Sequence, residues 1–91
     1  MAMGEFRRIE ASYDDIADVL YVACDRASVG VRYIDGPKGL LVRVRADGEA
    51  IGITVEDFRY LWDTRIEELI SAISTKLGVD ADQVRERLPI L

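Results

Sequence analysis

Three carboxylates and two tyrosines fall within ten residues near the start of the chain, in the stretch Tyr13–Val22 (YDDIADVLYV). Clustered carboxylates can bind a hard cation, which takes six or more oxygen ligands, and a carboxylate pair can act as general acid and base. The D-x-D-x-D-G ladder of a calcium loop is missing, and no nucleophile accompanies the cluster. We therefore expect no catalytic, metal-binding or cofactor-binding residue here.

A structural role accounts for these carboxylates. Asp14 has the spacing of an N-cap residue, whose carboxylate can accept hydrogen bonds from the backbone amides near Ile16 and Ala17 and start one helical turn. A strand then follows. On this interpretation Asp15 and Asp18 are solvated.

Other residue types also argue against catalysis. Histidine is absent, which removes the commonest general base and transition-metal ligand. Cys24 is the single cysteine, with no lysine or histidine near it in sequence to activate its thiol. The 17 acidic residues outnumber the 12 basic ones, which does not favour nucleic-acid binding. The chain is predicted not to be an enzyme.

The length of 91 residues is that of one domain, so we predict a single domain spanning residues 1–91. A chain this short buries only about 60–65% of its unfolded surface, so a partner is expected to cover part of it. No apolar run resembles a signal peptide or a membrane span, so the expected location is cytoplasmic.

Residues of about 5–57 have the alternating pattern of a β-meander with four to five antiparallel strands. Asp47-Gly48 is a two-residue turn signal between two apolar runs. That turn pairs Val44 with Ile51, Val42 with Ile53 and Leu40 with Val55. A loop at residues 35–38 pairs Tyr33 with Leu40, Val31 with Val42 and Val29 with Val44. A loop at residues 25–28 pairs Leu20 with Tyr33, Val22 with Val31 and Cys24 with Val29. A first strand at about residues 7–13 adds Ile9, Ala11 and Tyr13.

Residues 63–91 have a helical pattern. Thr64 and Glu67 form a capping-box pattern before one long apolar stripe, Gly78 ends that helix, and Asp80 caps a second, short helix that ends at Pro89. The fold class is therefore α+β: an antiparallel β-meander of four to five strands followed by one long and one short C-terminal helix.

The strand pairing leaves several apolar residues on the face of the sheet that the long helix does not cover. These residues are the possible interface: Val19, Tyr21, Ile34 and Leu41. They predict a homo-oligomer, most simply a dimer. The competing account is that Leu88, Ile90 and Leu91 fold over this face. Arg32, Arg43 and Arg45 are expected on the same face, with Tyr21 opposite Arg32. They form either an anion-binding patch or, as we favour, a solvated surface.

Two stretches carry a resemblance to a known family. YDDIADVLYV resembles the pattern Y-D-x-x-A-D-x-L-Y-[IV], and DGEAIGI at residues 47–53 resembles D-G-x-[IV]-[IV]-G-[IL]-E. Both belong to a small prokaryotic family of unknown function, number 2283, and together they span residues 13–54. The chain departs from the family at Arg45 and Thr54, where members often have acidic residues.

The resemblance implies a small antiparallel β domain, and it implies no activity, cofactor or catalytic residue. Some members are suspected components of toxin–antitoxin pairs. The favoured function is a non-enzymatic, self-associating protein-interaction module. The alternative is an antitoxin-like or regulatory partner that binds a toxin or nucleic acid, and a small metal-dependent enzyme is the least favoured.

Overall fold

The computed structural model describes residues 8–24, 32–36 and 39–89. Its strands are β1 (Ile9–Asp14), β2 (Val19–Cys24), β3 (Arg32–Asp35), β4 (Leu40–Val44) and β5 (Ala50–Glu56). Its helices are α1 (Phe58–Trp62), α2 (Ile66–Leu77) and α3 (Ala81–Arg87). The α+β class is confirmed, with five antiparallel strands preceding the helices. The short helix α1 was not predicted.

The strand order in the sheet is β1-β2-β5-β4-β3. Neighbouring strands in the chain form the pairs β1–β2, β3–β4 and β4–β5, but β2 pairs with β5. The predicted hairpin between β2 and β3 is therefore wrong. Val22 pairs with Ala11 on one side and Ile53 on the other, so no side of β2 is left for β3. The turn predicted at residues 25–28, with Val29 and Val31, lies outside the described residues.

Side-chain character explains why β5 takes the central position. Ile51, Gly52, Ile53 and Val55 are all buried in β5, whereas all four residues of β3 are exposed. The apolar strand β5 is buried between two others, and the edge is left to the short strand β3, which has charged residues at both ends. The apolar pairs predicted for each hairpin did not distinguish these two arrangements.

The β4–β5 hairpin has most of its predicted register. Leu40 pairs with Val55 and Val42 with Ile53. Val44 pairs with Ala50 rather than Ile51, because the register shifts by one residue between Arg43 and Val44. Only Gly48 has a positive φ, 91°, in this turn, so it is a three-residue turn with a bulge and not the type I′ turn that was predicted.

The β3–β4 register differs from the prediction by three residues. Tyr33 pairs with Arg43, and Ile34 pairs with Val42. An odd shift exchanges the two faces of a strand. Tyr33 consequently moves to the outer face of the sheet, while Ile34 and Arg32 move to the face that carries Val42 and Val44.

The three helices cover the inner face of the sheet. Leu20, Val22, Ile53 and Val55 of the sheet form one buried cluster with residues from every helix. The helical members of that cluster are Phe58, Trp62, Leu69, Ile70, Ile73, Leu77 and Val84, joined by Val79 and Leu88 beside the helices. At roughly 1.5–3 kcal/mol for each fully buried large apolar side chain, this cluster is the principal stabilising contribution of the fold.

The ends of the helices test the predicted caps. Gly78 has φ 67° and donates its amide to Ser74, and the Asp80 carboxylate accepts from the amide of Asp82 at 2.9 Å, so both predictions are confirmed. The capping box at Thr64 is wrong: Arg65 is the N-cap of α2, and it makes no side-chain cap bond. Arg65 instead forms two hydrogen bonds with Glu68, at 2.9 and 2.8 Å.

Within the described residues, no helix is both long and apolar enough to cross a membrane.

Candidate functional site

The acidic stretch that opens the second strand has a structural explanation. One carboxylate oxygen of Asp14 accepts from the amides of Ile16 and Ala17, at 3.0 and 3.1 Å. This is the predicted turn cap, and it allows β1 to turn back into β2. Asp14, Asp15 and Asp18 are not arranged as a metal site: among residues 8–24, 32–36 and 39–89 no group of three acidic, cysteine or histidine residues could hold an ion.

Asp18 is not simply solvated, which corrects the prediction for this residue. Its carboxylate accepts from the Tyr13 hydroxyl at 2.7 Å, from the Arg59 amide at 2.9 Å and from the Tyr60 amide at 3.4 Å. The Asp18 carbonyl accepts from the amide of Phe58. One residue in the β1–β2 turn therefore supplies the cap of α1, whose own N-cap residue makes no side-chain cap bond.

These hydrogen bonds shift both titrating groups. The Arg59 backbone amide is the main cause that lowers the pKa of Asp18, and the Tyr13 hydroxyl adds to it. Desolvation is the main cause that raises the pKa of Tyr13, and the bond to Asp18 adds to it. Arg59 also donates to the Tyr13 hydroxyl at 3.1 Å and lies over its ring. The cluster holds charges in fixed positions and joins the β1–β2 turn to α1.

The best candidate for a functional surface is the outer face of the sheet, opposite the helices. Strand pairing places two rows of side chains across all five strands. The first row contains Glu10, Ala23, Gly52, Arg43 and Tyr33. The second row contains Ser12, Tyr21, Thr54, Leu41 and Asp35. Val19 and Glu56 continue this face beyond the second row.

The first row has a depression of about 130 Å³ at its centre. Gly52 and Ala23 provide a floor without bulk, and Tyr21, Tyr33, Arg43 and Thr54 line it. A larger residue would be crowded at Gly52, because a Cβ atom there would lie 3.1 Å from the carbonyl oxygen of Val22. The two tyrosines remain 46% and 59% exposed, although the depression lies between them.

Arg43 gives the depression its charge. The Nε atom of Arg43 is buried, yet no residue of the described chain accepts a hydrogen bond from it. A buried donor without an acceptor is unfavourable by about 1–3 kcal/mol. An external carboxylate could accept from the guanidinium in a charge-assisted bond. Arg45 differs, because its guanidinium pairs with Glu49 and lies 3.8 Å from Asp47.

The predicted interface residues divide between the two faces. Val19, Tyr21 and Leu41 lie on the outer face, as predicted. Ile34 does not, because it pairs with Val42 on the inner face, where it is 46% exposed at the edge of the sheet. Arg43 is outward, but Arg32 pairs with Val44 and not with Tyr21. Hence the expectation that Arg32, Arg43 and Arg45 share the outer face is wrong for Arg32.

Sequence reasoning missed the residues that form the depression. Tyr33 was assigned to the opposite face through the wrong β3 register. Gly52 follows the turn in the IGI segment, and a glycine inside a strand signals a close approach of another backbone. That signal could have located the floor of the depression.

Two other residues, a cysteine and a tryptophan, lie on the inner side. Cys24 is buried with 1% exposure and belongs to the core. Trp62 is 2% exposed in the core, with the Arg65 guanidinium over its ring at 5.1 Å. Both positions are those of core residues and not of a reactive or ligand-stacking site.

Comparison with known proteins identifies no matching family model, no similar curated protein and no similar solved structure. The resemblance to family 2283 therefore stays a prediction.

Proposed function

We propose that this domain is a non-enzymatic protein-interaction module that self-associates through the outer face of its sheet. The observation that carries the proposal is the two-sided character of the sheet. The buried residues of all three helices join the inner cluster, while the outer face carries Tyr21 and Tyr33 with large exposed fractions.

The position of the C-terminal segment supports this proposal. Folding of this segment over the outer face was the competing explanation for the apolar residues there. Val84 and Leu88 instead belong to the inner cluster, and Gln83 accepts from the Ile9 amide at 2.8 Å. Ile90 and Leu91 lie outside the described residues. Up to Leu88, then, the C-terminal segment packs on the side away from Tyr21.

The size of the face sets the expected strength of association. Five strands about 4.8 Å apart, each with about five residues at roughly 3.4 Å per residue, cover about 400 Å² of each copy in projection. The two copies together would bury about 800 Å², which is the size of a weak specific complex. We therefore expect dissociation in the micromolar range and a closed two-fold dimer.

Light scattering coupled to size exclusion, at chain concentrations from about 1 to 500 μM, tests the proposal. The expected mass rises with concentration to about twice 10.2 kDa. Tyr21→Lys and Leu41→Glu should abolish this rise, and circular dichroism should show an unchanged fold.

Tyr60→Lys is the matched control. Tyr60 is 83% exposed, but it lies on α1 and not on the outer face. This variant should dimerise like the parent chain. A parent chain that stays monomeric at the highest concentration would contradict the proposal. Equal effects of Tyr21→Lys and Tyr60→Lys on the measured mass would contradict it as well.

A further inference from the structure

We infer that two copies pair about a two-fold axis running along β5, so that Arg43 of each copy lies over Ala23 of the other and binds its Glu10. This inference rests on the proposed self-association and specifies its geometry. Its basis is the order of side chains in the row Glu10, Ala23, Gly52, Arg43 and Tyr33.

The symmetry follows from the central position of β5. An axis in the interface along this strand exchanges β4 with β2 and β3 with β1, while each row stays opposite itself. Arg43 then lies opposite Ala23, and Tyr21 lies opposite Leu41 of the second copy. Face-to-face sheets pack with their strands within about 30° of each other, which this arrangement permits.

Shape supports this pairing. Arg43 is the large side chain of its row on β4, whereas Ala23 on β2 and Gly52 on β5 are small and form the floor of the depression beside it. The axis places each Arg43 over the small Ala23 of the opposite copy. In the second row it places an aromatic ring against an aliphatic side chain.

Charge supports the same pairing. Arg43 and Glu10 are three strands apart, about 14 Å at roughly 4.8 Å per strand, so they do not pair within one chain. Across the axis, Glu10 is on the strand next to Ala23 and hence beside the incoming guanidinium. Glu10 is exposed, and the buried Nε of Arg43 has no acceptor in the described chain. The pairing gives the Arg43 guanidinium a carboxylate partner twice, once in each half of the dimer.

A different axis makes a different prediction. An axis in the interface perpendicular to the strands would place each strand over itself and exchange the rows. Arg43 would then lie over Leu41 of the second copy and beside its Asp35, which neighbours Leu41 in the second row. Charge reversal at Glu10 and at Asp35 therefore distinguishes the two arrangements.

The experiment measures dimer dissociation by analytical ultracentrifugation in low salt for Arg43→Glu, Glu10→Arg and the double variant. Each single reversal places like charges together and should weaken the dimer by about tenfold or more. The double variant restores opposite charges and should recover most of the parent affinity. Glu10→Arg changes an exposed edge position, so it tests the contact even if Arg43→Glu disturbs the fold.

Two matched variants complete the design. Glu86→Arg makes the same charge change on an exposed position of α3 and should leave dissociation unchanged. Asp35→Arg, at an exposed position of β3, should have a much smaller effect than Glu10→Arg. The inferred axis is overturned if the dimer forms but Glu10→Arg leaves it intact, or if Arg43→Glu is rescued by Asp35→Arg and not by Glu10→Arg. A parent chain without any dimer contradicts the proposed function itself.

Discussion

Asp18 shows how one side chain can connect distant parts of a small domain. Its carboxylate binds Tyr13, five residues before it, and the Arg59 amide, 41 residues after it. The residue adopts φ 59°, a left-handed conformation that aspartate tolerates better than most residues. The segment Tyr13–Asp18 therefore has a role in holding α1 against the sheet, beyond the local turn that Asp14 caps.

Comparing substitutions at the two aspartates tests this difference. Asp14→Ala removes a local cap and should lower the free energy of unfolding by about 1 kcal/mol, within about 0.5–2 kcal/mol. Asp18→Gly should cost more, because Tyr13 and two amides of α1 lose their acceptor while the glycine keeps the left-handed backbone unstrained. Urea denaturation of both variants checks the order, and a smaller loss for Asp18→Gly would contradict it.

The lowered pKa of Asp18 also predicts a pH dependence. A carboxyl group whose pKa is lower in the folded than in the unfolded state adds stability above its unfolded pKa of about 3.8. That stability is lost as the pH falls through the folded value. On acidification from pH 7 to about pH 2, the parent should therefore lose more stability than Asp18→Gly.

Glu68→Gln is the control for this experiment. The bond from Arg65 likewise lowers the pKa of Glu68, but this residue is exposed on the first turn of α2. Glu68→Gln should remove the loss of stability on acidification that comes from Glu68. It should leave unchanged the loss that comes from Asp18. Identical acid profiles for the parent chain and Asp18→Gly would contradict the assignment.

Local signals predicted most of the elements, because turn residues and apolar alternation act over a few neighbouring residues. Asp14, Gly78 and Asp80 have the positions that their types favour, and the β4–β5 hairpin keeps two of its three predicted pairs. The capping box at Thr64 is the exception. There Arg65 and not Thr64 is the N-cap, and the Glu67 carboxylate accepts a hydrogen bond from Arg85.

Pairing between distant strands was less predictable. Leu20 and Val22 find apolar partners equally well in β3 or β5, so alternation alone does not decide between them. The strands differ in the residues that they carry: β5 is a long, mostly apolar strand, whereas β3 is short and has charged residues at both ends. Of the candidate interface, Val19, Tyr21 and Leu41 lie on the predicted face because the alternation within β2 and β4 is as predicted, although β2 pairs with β5 and not with β3. Tyr33 and the depression depended on the β3 register, which was wrong.

At the scale of the whole molecule, the expected self-association depends on the difference between the two faces of the sheet. The inner face is covered by three helices, and the outer face combines exposed tyrosines, a small-residue depression and an arginine without an acceptor in the described chain. A domain of 91 residues has little apolar burial to spare, so association should contribute measurably to its stability. Folding and dimerisation are therefore expected to be linked.

Linkage predicts that the thermal midpoint rises with protein concentration, since only the folded chain can pair. Above the dissociation constant, a tenfold increase in concentration stabilises each chain by about 0.7 kcal/mol, half of the 1.4 kcal/mol that a factor of ten represents for a dimer. For a domain of this size that corresponds to about 3–5 °C. Differential scanning calorimetry from about 20 to 500 μM measures the shift. Tyr21→Lys should remove the concentration dependence, and Tyr60→Lys should preserve it. A midpoint in the parent chain that is constant across this range would show that pairing adds nothing to stability.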